Sequence, residues 1–167
     1  MKRQKTEQQA LESLASICSR AEHCTADLEE KLRRWNVPAD ARMRIVARLE
    51  HEGYVDDSRY AELFVSEKVN IAGWGRRKIE QALRMKHIDS STYAPYLDAV
   101  TEEEWLSHLR PLLKSKAASL PPLDEWQRSA RLMRFALSRG FEMQQIRICL
   151  DESGLPDDAD MPNFLAE

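Results

Sequence analysis

The chain has 167 residues, enough for one ordinary domain or for several small coupled repeats, and 32% of its residues are charged. With only 5 glycines and few β-branched residues, it is predicted to be all-helical. The absence of a run of about 18 apolar residues and of a signal-peptide core predicts a cytoplasmic protein without a membrane partner. The net charge of −3 argues against a general nucleic-acid-coating protein, which needs a larger basic footprint.

Charged residues are unevenly distributed along the chain, and the cysteines are few. Residues 1–150 hold all 25 lysines and arginines against 22 acids, whereas residues 151–167 hold six acids and no base. The three cysteines, Cys18, Cys24 and Cys149, follow no pattern, which is usual for reduced intracellular proteins. A mildly basic body with a short acidic tail is therefore expected.

Three helices are predicted in residues 1–53, the first expected repeat. Apolar residues around Leu14 give the first helix its stripe, and Thr25 is the expected N-cap of the second. The second helix is expected to end near Asn36, which tolerates the left-handed conformation. The third is expected to begin near Pro38 and to stop at the end of this repeat.

The second repeat is predicted over residues 54–118 and includes an extra helix. Asp56 and Asp57 are expected to cap its first helix; they could be taken for catalytic carboxylates, but their place at a helix start favours capping. The Gly73-Trp74-Gly75 sequence breaks that helix, and Gly75 is expected to serve a tight turn. A basic helix follows from Arg76 to Lys86, and then a short third helix.

The extra helix is predicted to lie between the second and third repeats. Thr101 and Glu104 form a capping box at its start, and Pro111 is expected to kink or end it. The third repeat is predicted over residues 119–167. Its turn is expected at Gly140, and its last, short helix precedes the end of the acidic tail.

A pattern of three Leu, Ile or Val residues at positions i, i+4 and i+9 occurs three times. The second copy lies 51 residues after the first and the third 67 residues after the second. Such units cannot bury their apolar stripes alone, so they stack and share a core. The pattern predicts an all-α, elongated tandem array of three-helix repeats, which suits binding to a large partner. The copies are Leu28, Leu32 and Val37; Ile79, Leu83 and Ile88; and Ile146, Leu150 and Leu155.

Three stretches carry a more specific signal: GYVDDSRYAE at 53–62, GRRKI at 75–79 followed by Ala82 and Leu83, and RFALSRGF at 134–141. Together they resemble the RecX family of recombination regulators, over about residues 10–155. The sequence departs from the family where Asn36 and His87 replace the glycine common at a helix end. Asn adopts positive φ readily and His less readily.

The resemblance implies a protein that binds the RecA recombinase filament on single-stranded DNA. It further implies inhibition of filament growth, ATP hydrolysis and strand exchange, and hence regulation of DNA recombination, DNA repair and the SOS response. We expect a monomer without a cofactor, and direct but weak contact with single-stranded DNA is left open. The alternative hypothesis is a helix-turn-helix-like DNA-binding protein, which would show base-sequence preference without RecA.

The basic helix of the second repeat is the best candidate for contacting a partner. At 100° per residue, Arg77, Gln81 and Arg84 lie opposite the buried Ile79 and Leu83. The equivalent faces of the other two repeats carry mixed or apolar residues. The candidate partner-binding residues, which would contact an acidic filament surface or phosphates, are Arg76, Arg77, Lys78, Arg84 and Lys86.

Other candidate sites have less support. Cys18, His23 and Cys24 lack the C-x₂-C spacing of zinc modules, so no metal is expected. No P-loop, Rossmann glycine pattern or G-x-S-x-G elbow is present in the sequence, so we expect that the protein is not an enzyme. Trp74 could stack on a base, but anchoring its loop on the neighbouring helix is the favoured role.

Overall fold

The computed structural model describes residues 4–157, and within this range the chain forms nine α-helices and no β-strand. This confirms the all-α prediction. The short last helix predicted before Glu167 lies outside the described residues. The helices are α1 (Glu7–Cys18), α2 (Thr25–Arg34), α3 (Ala39–His51), α4 (Asp57–Asn70), α5 (Arg76–Met85), α6 (Ser90–Asp98), α7 (Glu102–Ser119), α8 (Glu125–Ser138) and α9 (Met143–Glu152).

The helices pack into two compact units. The first unit holds residues 4–63 together with Leu83–Tyr93, and the second holds Phe64–Ala82 and residues 94–157. In the first unit α1 and α2 both pack on α3. In the second unit α7, α8 and α9 all pack on one another. Each unit therefore buries helical stripes of the kind that the apolar spacing predicts.

Helix α7 continues past Pro111. The expectation that Pro111 ends this helix is wrong, because the helix runs eight residues further, to Ser119; the alternative, a kink at Pro111, stays a prediction. Proline removes one backbone N–H, which leaves the carbonyl of Ser107 without its helical donor. Both residues are exposed, so water can serve that carbonyl, while Leu109 and Leu113 on the other side are buried and hold the helix in place.

The repeated apolar triplets have a common structural cause. In each triplet the last residue donates its backbone N–H to the carbonyl of the second: Val37 to Leu32 at 3.1 Å, Ile88 to Leu83 at 3.2 Å, and Leu155 to Leu150 at 3.0 Å. This is the long hydrogen bond of a Schellman helix end, which also brings the residue after the turn back onto the helix. The five-residue spacing between the second and third members of each triplet is therefore the spacing of this hydrogen bond. The three triplets mark three equivalent helix ends.

Asn36 and His87 occupy the left-handed position of two of these helix ends. Their φ angles are 56° and 57°, whereas the third triplet has Gly154 there, with φ of 69°. The prediction that Asn36 ends its helix in this conformation is confirmed. His87 adopts the same left-handed conformation, which histidine tolerates less readily than asparagine. The hydrogen bond from Ile88 to Leu83 and the burial of Ile88 fix the turn.

Candidate partner-binding surface

Helix α5 presents the basic face that its sequence predicts. Ile79 and Leu83 are fully buried, whereas Arg77, Gln81 and Arg84 are exposed. An arginine at an exposed position can reach a partner without unpacking the core. Arg77 and Arg84 are therefore accessible cations, and their contact with a partner stays a prediction.

Arg76 is held inside the second unit by two acids. Its Nε lies 3.1 Å from Glu80 and its Nη2 lies 2.7 Å from Asp98. Burial lowers the pKa of Arg76, but these two hydrogen bonds outweigh it and raise the pKa above its ordinary value. Since Arg76 joins α5 to α6, its first role is structural.

Lys86 is similarly engaged inside the first unit. Its Nζ lies 2.6 Å from Asp27 Oδ1, and this hydrogen bond raises the pKa of the lysine. Burial raises the pKa of Asp27, but hydrogen bonds from Lys86 and Cys24 outweigh it, so the pKa lies below its ordinary 3.8. Lys86 thus fastens the turn after α5 to the start of α2.

The Lys86–Asp27 pair predicts a pH-dependent contribution to stability. A lowered carboxyl pKa stabilises the fold above about pH 4 and ceases to do so as the pH falls through the folded-state value. The raised pKa of Lys86 also stabilises the fold, but this contribution is fully present at every pH below 10.5. It therefore does not change in the acid range. We expect Lys86→Met to cost about 1 kcal/mol at pH 7, because the pair is partly exposed to solvent.

Urea unfolding at pH 7 and pH 3 checks this prediction. Asp27→Asn should lose less unfolding free energy than the parent protein between these two pH values, since it lacks the carboxylate that must be protonated. The control is Lys31→Met, which removes a different lysine, on α2. This variant should keep the parent's pH dependence. Equal pH dependence in Asp27→Asn and the parent would contradict the assignment.

Lys78 lies on an aromatic cluster in the second unit. Its Nζ is 4.5 Å from the centre of the Trp74 ring, and Nζ of Lys68 is 4.8 Å from the same centre. Trp74 packs on Phe64 of α4 with ring centres 6.2 Å apart at 74°. The expectation that Trp74 anchors its loop on the neighbouring helix is confirmed, and the indole also holds two ammonium groups.

A close backbone crossing positions the start of α5. Gly75 donates its N–H to the Arg139 carbonyl at 2.7 Å, and Arg77 donates to the Gly140 carbonyl at 3.1 Å. A Cβ on Gly75 would lie 2.3 Å from the Gly140 carbonyl carbon. The φ of Gly75 is not positive, so glycine is needed at this position because two backbones touch there. The expectation that Gly75 serves a tight turn stays a prediction.

This crossing brings Arg139, the residue that follows α8, to the same region, and the sequence analysis did not predict it. Nη1 of Arg139 donates to the Ala72 carbonyl at 3.4 Å, and its guanidinium lies 5.3 Å from the centre of the Phe135 ring. The sequence did contain a signal, because Phe64–Lys68 and Phe135–Arg139 both place a cation four residues after a phenylalanine on one helix face.

The two aspartates at the start of α4 accept hydrogen bonds at the starts of two different helices. Asp56 Oδ1 accepts the backbone N–H groups of Ser58 and Arg59 at 2.9 and 3.1 Å, as the capping prediction requires. Asp57 instead accepts the N–H and hydroxyl of Thr25, both at 2.8 Å. Thr25 is therefore not the N-cap of α2; Cys24 holds that position, and Asp57 accepts the N–H of Thr25, the first residue of the helix.

The described residues offer little for other chemistry. Among residues 4–157 no group of three or more His, Cys, Asp or Glu side chains could hold a metal ion. Burial raises the pKa of both Cys24 and Cys149 to about 11, so these thiols are weak nucleophiles and poor metal ligands. In the same part of the chain, no helix has the length and apolar character to cross a membrane.

The described residues form an all-helical protein, and the family models that match it are those of three-helix domains. The model of the second three-helix domain of RecX matches residues 56–94, and that of the third matches residues 102–150, which hold α7, α8 and most of α9. The regulatory protein RecX of Pseudomonas fluorescens is 31% identical over 144 residues, covering 84% of this chain and 89% of the relative. That of Stenotrophomonas maltophilia K279a is 30% identical, covering 87% and 88%. The chain belongs to the RecX family of regulatory proteins.

Solved structures agree on the fold. A crystal structure of regulatory protein RecX superposes with a TM-score of 0.82 at 21% identity, covering 87% of this chain and 73% of that one. RecX from Lactobacillus salivarius superposes with a TM-score of 0.78 at 20% identity, covering 87% and 95%. At these identities the superpositions establish the helical fold alone.

Proposed function

We propose that this protein binds the RecA recombinase filament on single-stranded DNA and inhibits its growth, ATP hydrolysis and strand exchange. In that role it regulates recombination, DNA repair and the SOS response in the cytoplasm, acts as a monomer and catalyses no reaction. Membership of a family of regulatory proteins supports the role. The observation that carries the choice of surface is the exposure of Arg77 and Arg84 on α5.

The five candidate cations contribute to this function in different ways. Arg77 and Arg84 are proposed as the contacts, because their side chains reach solvent. Arg76 and Lys86 hold the ends of the helix region through their acid partners, so they position the contacts. Lys78 lies over Trp74 and is fixed beside Arg77 at the start of α5. A helix fixed at both ends loses little conformational freedom on binding.

Dependence on RecA tests the proposal. We expect tight binding to single-stranded DNA coated with RecA and a slowly hydrolysed ATP analogue, but only weak, salt-sensitive binding to the naked strand, because few phosphates can be neutralised. Fluorescence anisotropy of labelled DNA measures both. Nanomolar, sequence-selective binding to duplex DNA at physiological salt without RecA would contradict the proposal and support the helix-turn-helix alternative.

A further inference from the structure

The second unit contains a pair of lysines whose ammonium groups both contact the Trp74 ring. Lys68 and Lys78 come from α4 and α5, and both ammonium groups lie over the Trp74 ring, at 4.8 and 4.5 Å from its centre. Their nitrogens are thus no further apart than the sum of these two distances. The two positive charges repel each other. An anion that lies near both ammonium groups is attracted by both.

The aromatic rings fix these lysines before any ligand arrives. Lys68 also lies 5.2 Å from the centre of the Phe64 ring, and the backbone N–H of Trp74 donates to the Lys68 carbonyl at 2.9 Å. Lysine side chains ordinarily lose much rotamer freedom when they bind a ligand. Cation–π contacts reduce that loss while leaving the N–H donors of each ammonium group able to face an anion.

Three acids of this unit, Glu67, Glu80 and Asp98, have their contacts described by the structure. Glu67 lies 3.6 Å from Lys68, with 61% of its side chain exposed, so this contact is weak. Glu80 and Asp98 are both engaged by Arg76.

A third cation approaches the Trp74 loop from α8. Arg139 donates to the Ala72 carbonyl just before the loop, and the next residue, Gly140, is in backbone contact with Lys78. The close crossing of Gly75 and Gly140 fixes this arrangement.

We propose that Lys68, Lys78 and Arg139 form a binding site for the phosphate groups of single-stranded DNA. The protein then contacts the strand itself as well as the recombinase, an inference that rests on the proposed function because the filament supplies the strand. Cations combined with aromatic side chains are typical of single-strand sites. Here the indole already contacts Phe64 and two lysines, so phosphate contact rather than base stacking carries the binding.

The test is the affinity for labelled oligo(dT) without RecA, measured by fluorescence anisotropy over a series of NaCl concentrations. Lys68→Gln with Lys78→Gln should weaken binding about tenfold at low salt. It should also reduce the slope of log affinity against log salt by about 1.4, since each phosphate contact contributes about 0.7. Should the double variant fail to fold, Lys78→Gln alone should give about half the change in slope.

A matched control separates the effect of this site on affinity from the effect of net charge. Lys114→Gln with Arg131→Gln removes two exposed cations from the same unit and should change affinity by less than about twofold. An equal loss in the control would overturn the site. A strand lacking bases should bind the parent protein within about twofold of oligo(dT); binding more than about tenfold weaker would mean that bases, and not phosphates, are contacted.

Inhibition of RecA distinguishes the failure of this inference from that of the proposed function. If the double lysine variant binds oligo(dT) normally but inhibits RecA poorly, the cluster contacts an acidic protein surface, which overturns the phosphate site and leaves the filament role standing. If the parent protein does not inhibit RecA while the variant loses strand affinity, the filament role fails and the phosphate site stands.

Discussion

Gly75→Ala is expected to lower the free energy of unfolding by about 3 kcal/mol. The added Cβ would lie 2.3 Å from both the Gly140 carbonyl carbon and the Phe141 nitrogen, which are backbone atoms that cannot rotate away. Overpacking a tight contact costs about 1–3 kcal/mol and sometimes more, and here the hydrogen bond from Gly75 to the Arg139 carbonyl is also strained. Urea unfolding followed by circular dichroism measures the effect.

Two further glycines serve as controls for this prediction. Gly140→Ala adds the same kind of clash, 2.4 Å from the Lys78 nitrogen, to a φ of +90°, and should destabilise at least as much as Gly75→Ala. Gly53→Ala has a φ of +77° but nothing within 4 Å, so it should cost only about 1 kcal/mol of backbone strain. Equal stability of Gly75→Ala and Gly53→Ala would show that the two backbones do not touch as described.

Arg77→Glu combined with Arg84→Glu is expected to weaken binding to the RecA filament at least about tenfold, or about 1.4 kcal/mol. Reversing charge at a contact removes attraction and adds repulsion. Both residues are exposed, so the free energy of unfolding should change by less than about 0.5 kcal/mol. The concentration of protein that halves RecA-dependent ATP hydrolysis should rise in parallel.

Helix α2 offers a control with the same change of net charge. Arg33 and Arg34 are exposed and both lie near Glu30, at 3.9 and 2.9 Å, so this face is already mixed in charge. Arg33→Glu with Arg34→Glu should therefore retain inhibition within about twofold. If this control loses as much as the α5 variant, net charge and not the α5 surface governs binding.

Much of the fold could be predicted because its signals are local. The apolar triplets mark three Schellman helix ends, and the outward side of α5 follows from helical geometry around Ile79 and Leu83. The capping box at Thr101 is present as predicted. The repeat boundaries at residues 53 and 118 stay predictions.

The site was less predictable because its contacts join residues far apart in sequence. Nothing in the sequence near Gly75 shows that Gly140 crosses it, and Arg76 and Lys86 gave no local sign of their partners Asp98 and Asp27. Sequence patterns of charge identify which side of a helix faces outward. They do not identify which cations are already neutralised by a distant acid.

The most direct test of the proposed function is the rate of RecA ATP hydrolysis on single-stranded DNA as the parent protein is added. The account predicts that the rate falls with rising concentration of this protein, and that the Arg77→Glu, Arg84→Glu variant needs at least about tenfold more protein for the same fall. A rate that stays unchanged when this protein equals RecA in concentration would contradict the account.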